Sequence, residues 1–453
     1  MKLKQNLKAL TLVAAIASAM LAASCSSSEK KEDTSKADST RRADSLAAIA
    51  ASPPTKLKVP DGFSANMIAE KLGPARHIAV TPKGDIYVKL GSPKEGKGIL
   101  MLTQSGDKAT VKTGFGDYDG TGIHVKDGYL YASSNSSVFR YKLNENGEVI
   151  DTNTPETIVT GLVDKKQHNS KSITLDNKGN IYVNIGAPSN ACQEVDRTKG
   201  SKGMMPCPIL DSAGGIWRFK ADVANQSYKQ GKRYATGLRN VVGLDWNTAT
   251  NKLFVMQHGR DMLSVLYPEY YTSQQSAILP AECMFELTEG ANAGWPYTYY
   301  DQERKAKMVA PEYGGDGKKV ETSKKYIDPV AAYPGHMAPN GLLFYTGSQF
   351  PEKYKNGAFI AFHGSWNRAP EPQEGFFVVF QPFKNGKPSG DWEIFADGFY
   401  GPEAKTAEGK AQRRPCGLAQ GLDGALYVTD DSKGAIFKIT YGNTTAAPAG
   451  AGE

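Results

Sequence analysis

Apolar and polar residues alternate along this chain in short runs, and long runs with the period of an amphipathic helix are scarce. What recurs is a strand, a turn built on Gly, Asp or Asn, and a second strand that closes on an aromatic residue followed by a small or β-branched one. This pattern is typical of β-hairpins. Six copies occur, at residues 78–88, 123–132, 173–183, 244–255, 342–362 and 418–428.

Further strand-like runs, such as GGIWRFKA (214–221), follow several of the hairpins. Strand pairs repeated at intervals of tens of residues predict an all-β fold, a six-bladed β-propeller with one hairpin in each blade. The fourth and fifth hairpins are separated by an excess segment, residues 263–339, which is rich in loops and aromatic residues. We therefore expect a loop-rich insertion between blades four and five that helps to build a ligand-binding face.

The two ends of the chain have a different character from the hairpins. Residues 1–24 combine early lysines, an apolar stretch and small residues before Cys25, which predicts a lipoprotein signal peptide and lipidation of Cys25; ordinary cleavage is the alternative. Residues 25–56 are rich in Ser, Ala and charge and predict a disordered tether, and residues 443–453 predict a disordered tail. The predicted catalytic domain is therefore 57–442, in an exported, membrane-anchored lipoprotein facing the periplasm or cell surface.

Composition narrows the choice of partner. The formal net charge is +7, and removal of three signal-peptide lysines would leave +4, without a basic stripe. A net positive charge this small does not indicate a nucleic-acid partner. The 47 glycines and 25 prolines agree with a fold that contains many turns.

Four cysteines lie in the body of the chain. Cys192 and Cys207 bracket a short polar loop, and because an exported protein meets an oxidising compartment we predict a disulfide between them. A zinc site is the weaker alternative, since no nearby His or second Cys pair has the required spacing. The sequence leaves open whether Cys283 and Cys416 pair with each other or stay free.

Polar residues precede each hairpin, where the innermost strand of a blade enters the central channel. They are Arg76-His77, Gly120-Thr121, His168-Asn169, Arg239-Asn240, His336 and Arg413-Arg414. His168, Asn240 and Arg413 each stand 14 residues before the aromatic residue of their own hairpin. We expect the whole set to meet in one ring at the channel mouth.

The chemistry of this ring points to an anionic ligand. Arginines bind carboxylates or phosphates through paired donors, and a neutral histidine such as His168 can act as a general base. Neighbouring cations should lower the pKa of that histidine, and no acidic residue occupies these positions. The alternative is that these groups hydrogen-bond loop carbonyls and fill the mouth. His124 is interpreted as structural, whereas His258 and His363 could line or support the site.

Several longer motifs share their pattern with a known family. They are HNSKSITLDNKGNIYV (168–183), ATGLRNVVGLDW (235–246), VMQHGRDML (255–263), FHGSWNRAP (362–370) and RRPCGLAQGLDGALYVTDD (413–431). Over residues 58–440 the chain resembles the soluble quinoprotein glucose and sorbosone dehydrogenases, and within them the sorbosone dehydrogenase-like branch. That resemblance implies a six-bladed propeller that uses pyrroloquinoline quinone (PQQ) and Ca²⁺.

The resemblance also implies roles for individual residues. His168 would take the proton from the anomeric hydroxyl of a sugar while hydride passes to C5 of the quinone, whose carbonyl Arg239 polarises. Gln167 departs from the family's glucose enzymes, which carry an Asp immediately before the base. Further implied positions are Asn240, Arg414, Asn367 and Arg368 for the cofactor, and the backbone carbonyls of Gly259 and Arg260 for Ca²⁺.

The leading hypothesis is a PQQ- and calcium-dependent dehydrogenase of an aldose or related sugar aldehyde. Electrons would pass to a separate acceptor, a cytochrome or quinone, because the chain has no haem-attachment motif. The alternative is a non-catalytic lipoprotein whose propeller binds glycans or proteins. A calcium-dependent lactonase or hydrolase ranks last, since the ring is basic and not acidic.

Overall fold

The computed structural model describes residues 57–402, 405 and 410–442. The predicted signal peptide, the lipidation site Cys25, the tether and the tail lie outside the described residues.

The described residues contain thirty strands. The first fourteen are β1 (Phe63–Ala69), β2 (Ala75–Val80), β3 (Ile86–Lys94), β4 (Lys97–Ser105), β5 (Lys108–Phe115), β6 (Ile123–Lys126), β7 (Tyr129–Ser133), β8 (Val138–Lys142), β9 (Glu156–Thr160), β10 (Ile173–Leu175), β11 (Asn180–Ile185), β12 (Gly215–Lys220), β13 (Gln226–Ser227) and β14 (Lys232–Thr236). The other sixteen are β15 (Val241–Asn247), β16 (Lys252–Gln257), β17 (Glu282–Leu287), β18 (Ala291–Asn292), β19 (Thr298–Asp301), β20 (Ala306–Val309), β21 (Ala331–Tyr333), β22 (Pro339–Phe344), β23 (Ala358–Phe362), β24 (Phe377–Gln381), β25 (Phe383–Lys384), β26 (Lys387–Pro388), β27 (Glu393–Ala396), β28 (Pro415–Gln420), β29 (Leu426–Asp430) and β30 (Ala435–Tyr441).

Helices are few and short in this part of the chain. The α-helices are α1 (Leu263–Leu266) and α2 (Ser273–Ile278), and the 3₁₀ turns are Pro208–Asp211, Tyr228–Gln230, Pro311–Tyr313 and Glu352–Tyr354. No helix among the described residues is long and apolar enough to span a membrane.

Six antiparallel sheets form the blades of a propeller, which confirms the predicted fold class. Their core strands, from the axis outward, are β2-β3-β4-β5, β6-β7-β8-β9, β10-β11-β12-β14, β15-β16-β17-β21, β22-β23-β24-β27 and β28-β29-β30-β1. The six innermost strands contact one another in a closed ring around the axis. The ring is fastened by β1, which pairs with β30, so the first described strand completes the last blade.

The repeated hairpin is set by local turn chemistry. In the third blade Thr174 of β10 lies opposite Tyr182 of β11. Asp176 holds the turn between them, because its Oδ1 accepts hydrogen bonds from the backbone N–H groups of Lys178 and Asn180. Gly179 supplies the left-handed backbone, with φ of 71°.

The aromatic residue that closes each hairpin packs toward a neighbouring blade. Tyr182 stacks on Trp246 of the fourth blade at 5.6 Å between ring centroids, and Phe254 meets Phe344 of the fifth at 4.8 Å. Six apolar clusters fill the spaces between adjacent blades, one in each gap. The core is therefore distributed around the ring, which explains why one sequence pattern recurs once per blade.

The predicted insertion lies within the fourth blade and not between blades four and five, because its two segments join β16 to β17 and β17 to β21 of the same sheet. Residues 258–281 join β16 to β17 and carry both α-helices, and residues 288–330 join β17 to β21. The two segments share an apolar core that includes Leu263, Tyr271 and Tyr299.

The predicted disulfide is confirmed: Cys192 and Cys207 are bonded, with an S–S distance of 1.97 Å. Cys283 and Cys416 are both buried free thiols, so they do not pair with each other.

Candidate active site

The start of each innermost strand lies beside the end of the second strand, because the two are antiparallel; Val241 pairs with Gln257, and Pro415 with Asp430. Residues that follow a second strand therefore reach the same end of the propeller, here called the mouth, as residues that precede a first strand. Sequence reasoning considered mainly the residues before the first strands. It therefore missed the acidic residues described below.

His168 is held in one orientation by its backbone and by one hydrogen bond. Its φ is 53°, and its Nδ1 lies 2.6 Å from the carbonyl oxygen of Ala187. A carbonyl oxygen only accepts, so Nδ1 carries the proton and Nε2 keeps its lone pair, to which no described residue hydrogen-bonds. Burial, and then the charge of Arg239, lowers the pKa of His168 to about 3. The expected direction is correct, although burial is the larger cause.

Gly186 allows this close packing. A Cβ atom at position 186 would lie 2.4 Å from the carbonyl oxygen of His168 and 2.7 Å from Oδ1 of Asn240. Asn240 is itself buried, and its Oδ1 accepts a hydrogen bond from Nδ2 of Asn184. The third and fourth blades are therefore joined directly behind the proposed base.

Arg239 is buried and already has an acidic partner, which corrects the expectation that the ring lacks acids. Its Nη2 lies 2.7 Å from Oδ2 of Asp261 and 3.1 Å from Oδ1 of Asn190. The carbonyl oxygen of Asn190 accepts a further hydrogen bond from Nε of Arg239. Asp261 stands four residues after β16, inside the motif VMQHGRDML.

Asp261 gathers donors from several loops. Its carboxylate accepts from Arg197 at 2.8 Å and from Nδ2 of Asn367 at 2.8 Å, and it lies 3.7 Å from Nδ1 of His336. Burial alone would raise the pKa of Asp261, but Arg239 and then His336 hold it well below the ordinary range. We call the set the Asp261 cluster; its members are Asn190, Arg197, Arg239, Asp261, His336 and Asn367.

The disulfide loop holds part of this cluster. Asn190, two residues before Cys192, is fully buried and makes two hydrogen bonds to the backbone of Asp261. Arg197 lies farther along the same loop. The bonded Cys192–Cys207 pair closes this loop beside the insertion, where its cluster also includes Trp295.

Asn367 and Arg368 have different roles, although both were candidates for the cofactor. Asn367 joins the cluster, and its buried Oδ1 has no hydrogen-bond partner among the described residues. Arg368 donates to the carbonyl oxygens of Pro372, Ala277 and Gly335. Its guanidinium therefore anchors a loop on protein carbonyls, which argues against the role implied for it.

A second group of charges surrounds Asp431, the residue that follows β29. Its carboxylate lies 2.9 Å from Nη1 of Arg76 and 2.7 Å from Nε2 of His363. The neighbouring Asp430 lies 3.0 Å from Nη1 of Arg413. With Arg414, whose guanidinium donates to the carbonyl oxygens of residues 363–365, these residues form the Asp431 cluster.

His258 links the two clusters. It follows β16, and its Nε2 lies 3.3 Å from the carbonyl oxygen of Pro339. Burial, followed by the charge of Arg239, lowers its pKa to about 3, and Arg76 contributes to the same shift. Arg76 and Arg239, which precede the first and fourth hairpins, therefore both act on one histidine at the mouth.

Below the mouth, the six innermost strands enclose an axial cavity of about 180 Å³. His77 and His124 line it together with Asp245. Burial lowers the pKa of both histidines to about 4 and raises the pKa of Asp245 to about 7. Protonation at neutral pH is therefore disfavoured for both histidines.

Gly259 and Arg260 lie between His258 and Asp261. The N–H of Gly259 donates to Oε2 of Glu282, and the guanidinium of Arg260 forms a buried ion pair with Glu312. The carbonyl oxygens of residues 259 and 260 accept no hydrogen bond from another described residue. Within 57–402, 405 and 410–442, no group of three or more His, Cys, Asp or Glu side chains could hold a metal ion.

With this geometry established, comparison with known proteins identifies the family. The model of the TrAA12-like family matches residues 57–442, the whole propeller. The chain belongs to the TrAA12-like family.

Two curated proteins are similar to this TrAA12-like chain. A PQQ-dependent pyranose dehydrogenase of Coprinopsis cinerea is 23% identical over 85% of the chain, which spans about half (55%) of that protein's length. A PQQ-dependent sugar dehydrogenase of Hypocrea jecorina is 22% identical over 84% of the chain and 88% of its own length.

A solved structure shares the fold of this TrAA12-like propeller. The holo form of the pyranose dehydrogenase PQQ domain from Coprinopsis cinerea superposes with a TM-score of 0.67 at 19% identity. The match covers 86% of this chain and 98% of that domain.

Proposed function

We propose that this chain is a PQQ-dependent oxidoreductase that oxidises a sugar, with His168 as the general base. The observation that carries the proposal is the pairing of a neutral, anchored His168 with the buried guanidinium of Arg239. A neutral base with a free Nε2 suits removal of a hydroxyl proton. The PQQ-dependent sugar dehydrogenases similar to this chain support the same reaction class.

The residues at the mouth fit a carboxylate-bearing cofactor. PQQ carries three carboxylates, and guanidinium groups bind carboxylates through paired donors; Arg76, Arg197 and Arg239 place three such groups at the mouth. The orphaned Oδ1 of Asn367 offers a further polar contact. Asn240 and Arg414 are proposed as additional cofactor-binding residues.

In the proposed mechanism, bound PQQ would supply the acceptor for hydride, that is, for the hydrogen and the two electrons of the sugar C–H bond that breaks. His168 Nε2 takes the hydroxyl proton, so the carbon–oxygen bond becomes a carbonyl. Arg239 presents positive charge and N–H donors beside the base, and Asp261 with Asn190 fixes the guanidinium plane. Burial keeps His168 unprotonated before each turnover.

We propose that Ca²⁺ binds through the backbone carbonyls of Gly259 and Arg260. Calcium takes oxygen ligands and accepts backbone donors, so the absence of an acidic cluster among the described residues does not conflict with this site. The two carbonyl oxygens accept no hydrogen bond from another described residue, so they keep both lone pairs for a cation.

The finer identity of the enzyme also belongs to the proposal. Aldoses or related sugar aldehydes are the proposed substrates, on the sorbosone dehydrogenase-like branch, with a separate cytochrome or quinone as electron acceptor. Gln167 precedes the base, and its buried Nε2 has no described hydrogen-bond partner. Orientation of His168 is therefore assigned to Ala187, not to its preceding residue.

We also propose that the protein is an exported lipoprotein attached through Cys25. Incorporation of labelled palmitate in the parent, and its loss in Cys25→Ala, tests the anchor. Equal labelling of both proteins, or none in either, would reject it.

The decisive experiment for the enzyme follows binding and turnover separately. Purified protein is titrated with PQQ, with and without Ca²⁺, and the visible spectrum is recorded before and after addition of sugar. We expect micromolar binding, a spectral change with sugar, and dye-linked oxidation that His168→Gln lowers by about 10²- to 10⁴-fold. His124→Gln, in the axial cavity, is the matched control and should retain most of the activity.

Failure of PQQ to bind at micromolar concentration would reject the proposal. Saturable glycan or protein binding that is insensitive to substitution of His168 and Arg239 would instead favour a non-catalytic binding propeller.

A further inference from the structure

Trp366 occupies an unusual position in this molecule. Among the described residues it is the most exposed tryptophan, with 49% of its surface accessible, whereas Trp217, Trp246 and Trp295 are buried. It follows β23 by four residues and therefore stands at the mouth, with the other residues that come after second strands. An exposed indole at this place is available to pack against a ligand at the mouth.

The backbone on both sides of Trp366 is tied to the two charge clusters. The carbonyl oxygen of Ser365 accepts a hydrogen bond from Nη2 of Arg414, a member of the Asp431 cluster. On the other side, Nδ2 of Asn367 donates to Asp261 at 2.8 Å. The indole is therefore attached to the backbone between the two clusters that form the proposed active site.

The loop that carries Trp366 is held rigidly. At its base, Gly364 and Gly375 are in such close approach that a Cβ atom on Gly375 would lie 2.8 Å from Cα of Gly364. Within the loop, Oγ of Ser365 donates to Gln373, and Arg368 donates to carbonyl oxygens of the loop and the insertion. A rigid aromatic side chain loses little conformational entropy when a ligand packs on it.

We propose that Trp366 is the specificity-determining platform on which the ring of a pyranose substrate stacks. The axial C–H groups of a pyranose form an apolar, weakly positive face that complements the negative face of an indole. The ring hydroxyls then remain free at the edge for polar groups such as Asn367. This inference rests on the proposed function, because it assigns the sugar of that reaction to a surface between the Asp261 and Asp431 clusters.

Binding without turnover provides the first test. PQQ-free protein is titrated with methyl glycosides of glucose, galactose, mannose and xylose, which have no free anomeric hydroxyl, and tryptophan fluorescence is recorded. We expect a saturable change in the parent that Trp366→Phe abolishes. Trp392→Phe is the matched control, since Trp392 packs against Tyr333 and Phe377 and should leave the change intact.

Kinetics of the PQQ-loaded enzyme provide the second test. Loss of ring stacking in Trp366→Ala should raise KM by about tenfold and lower kcat by much less, and Trp366→Phe should restore most of the KM. Absence of binding by every glycoside, or an unchanged KM in Trp366→Ala, would overturn the inference. If glycosides bind through Trp366 but the PQQ-loaded parent protein does not oxidise sugar, the role of Trp366 in binding is supported and the proposed reaction is rejected.

Discussion

The Asp261 and Asp431 clusters have the same ingredients but different architecture. Asp431 receives its cation and its histidine at the ends of strands in blades one, five and six, and each of its charged groups contacts protein atoms. Asp261 draws its partners from loops, including the disulfide loop and the loop of Trp366. The cluster includes the orphaned Oδ1 of Asn367, and the charges of Arg239 and Asp261 both act on the nearby His168.

This difference separates scaffold from chemistry. Buried ion pairs with all their partners fix strand ends, and they cost free energy when one partner is lost. The Asp261 cluster, which is assembled from loops, keeps one buried acceptor without a described partner, Oδ1 of Asn367. We therefore propose that the Asp431 cluster contributes mainly to stability, apart from the cofactor contact proposed for Arg414, and that the Asp261 cluster serves mainly catalysis.

The sharpest way to break this comparison is to neutralise each acid in turn. Asp261→Asn and Asp431→Asn should both lower the free energy of unfolding by about 3–5 kcal/mol, because each leaves a buried cation unpaired. Only Asp261→Asn should lower kcat by about 100-fold, since Arg239 loses its orientation. Calorimetry and dye-linked turnover at saturating sugar measure the two effects. Equal losses of kcat in the two variants would contradict the assignment.

Removal of the disulfide should affect one cluster and spare the other. The double variant Cys192→Ser, Cys207→Ser should lose about 3 kcal/mol of unfolding free energy from the denatured-state entropy of a 15-residue separation. Because Asn190 holds Arg239 and Asp261, kcat should fall as well. A thiol reductant should reproduce both effects in the parent and have none in the variant.

Combination with Asp431→Asn sharpens this prediction. The disulfide substitutions and Asp431→Asn affect residues that share no hydrogen-bond partner, so their decreases in unfolding free energy should add. A combined cost well below the sum would show that the disulfide loop and the Asp431 cluster are coupled.

Acid pH should produce the smallest effect, one that distinguishes His168 from an ordinary histidine. Its pKa of about 3 lies below the unfolded value, so the unfolded chain binds the proton first as pH falls below about 6.5. The unfolding free energy should therefore decrease from pH 6.5 toward pH 3, by about 2 kcal/mol for this residue at pH 5. His168→Gln should remove that part of the decrease, as measured by denaturant unfolding at pH 5 and pH 7.

The same pKa predicts the pH profile of activity. The proposed base His168 stays unprotonated at every pH at which the protein is folded. A plot of kcat/KM against pH should therefore show no decrease near pH 6.5 that depends on His168. An acid limb at that pH, with an unchanged Tm, would show that His168 titrates normally and would weaken its assignment as a buried base.

The fold was predictable because its determinants are local and repeated. Each hairpin carries its own turn residues, such as Asp176 and Gly179, and its own aromatic wedge, such as Tyr182. The disulfide was predictable from the spacing of Cys192 and Cys207 in an exported chain. These signals need no knowledge of distant partners.

The candidate site was predictable only in part. His168 and Arg239 could be found, because they precede hairpins whose position in the blade is known. Asp261 and Asp431 were missed, although each follows the second strand of a hairpin and antiparallel pairing brings that point to the mouth. The expectation of an arginine ring without acids was wrong for this reason.

By itself, the sequence determined the six hairpins, the disulfide and the position of His168 before the third hairpin, because each depends on neighbours close along the chain. Closure of the ring decided the rest. It placed Asn190, Arg239, Asp261 and Asn367, which belong to separate loops, within hydrogen-bonding distance. Ion pairs and hydrogen bonds depend on distances of a few ångströms in space, and the separation of two residues along the chain does not predict that distance.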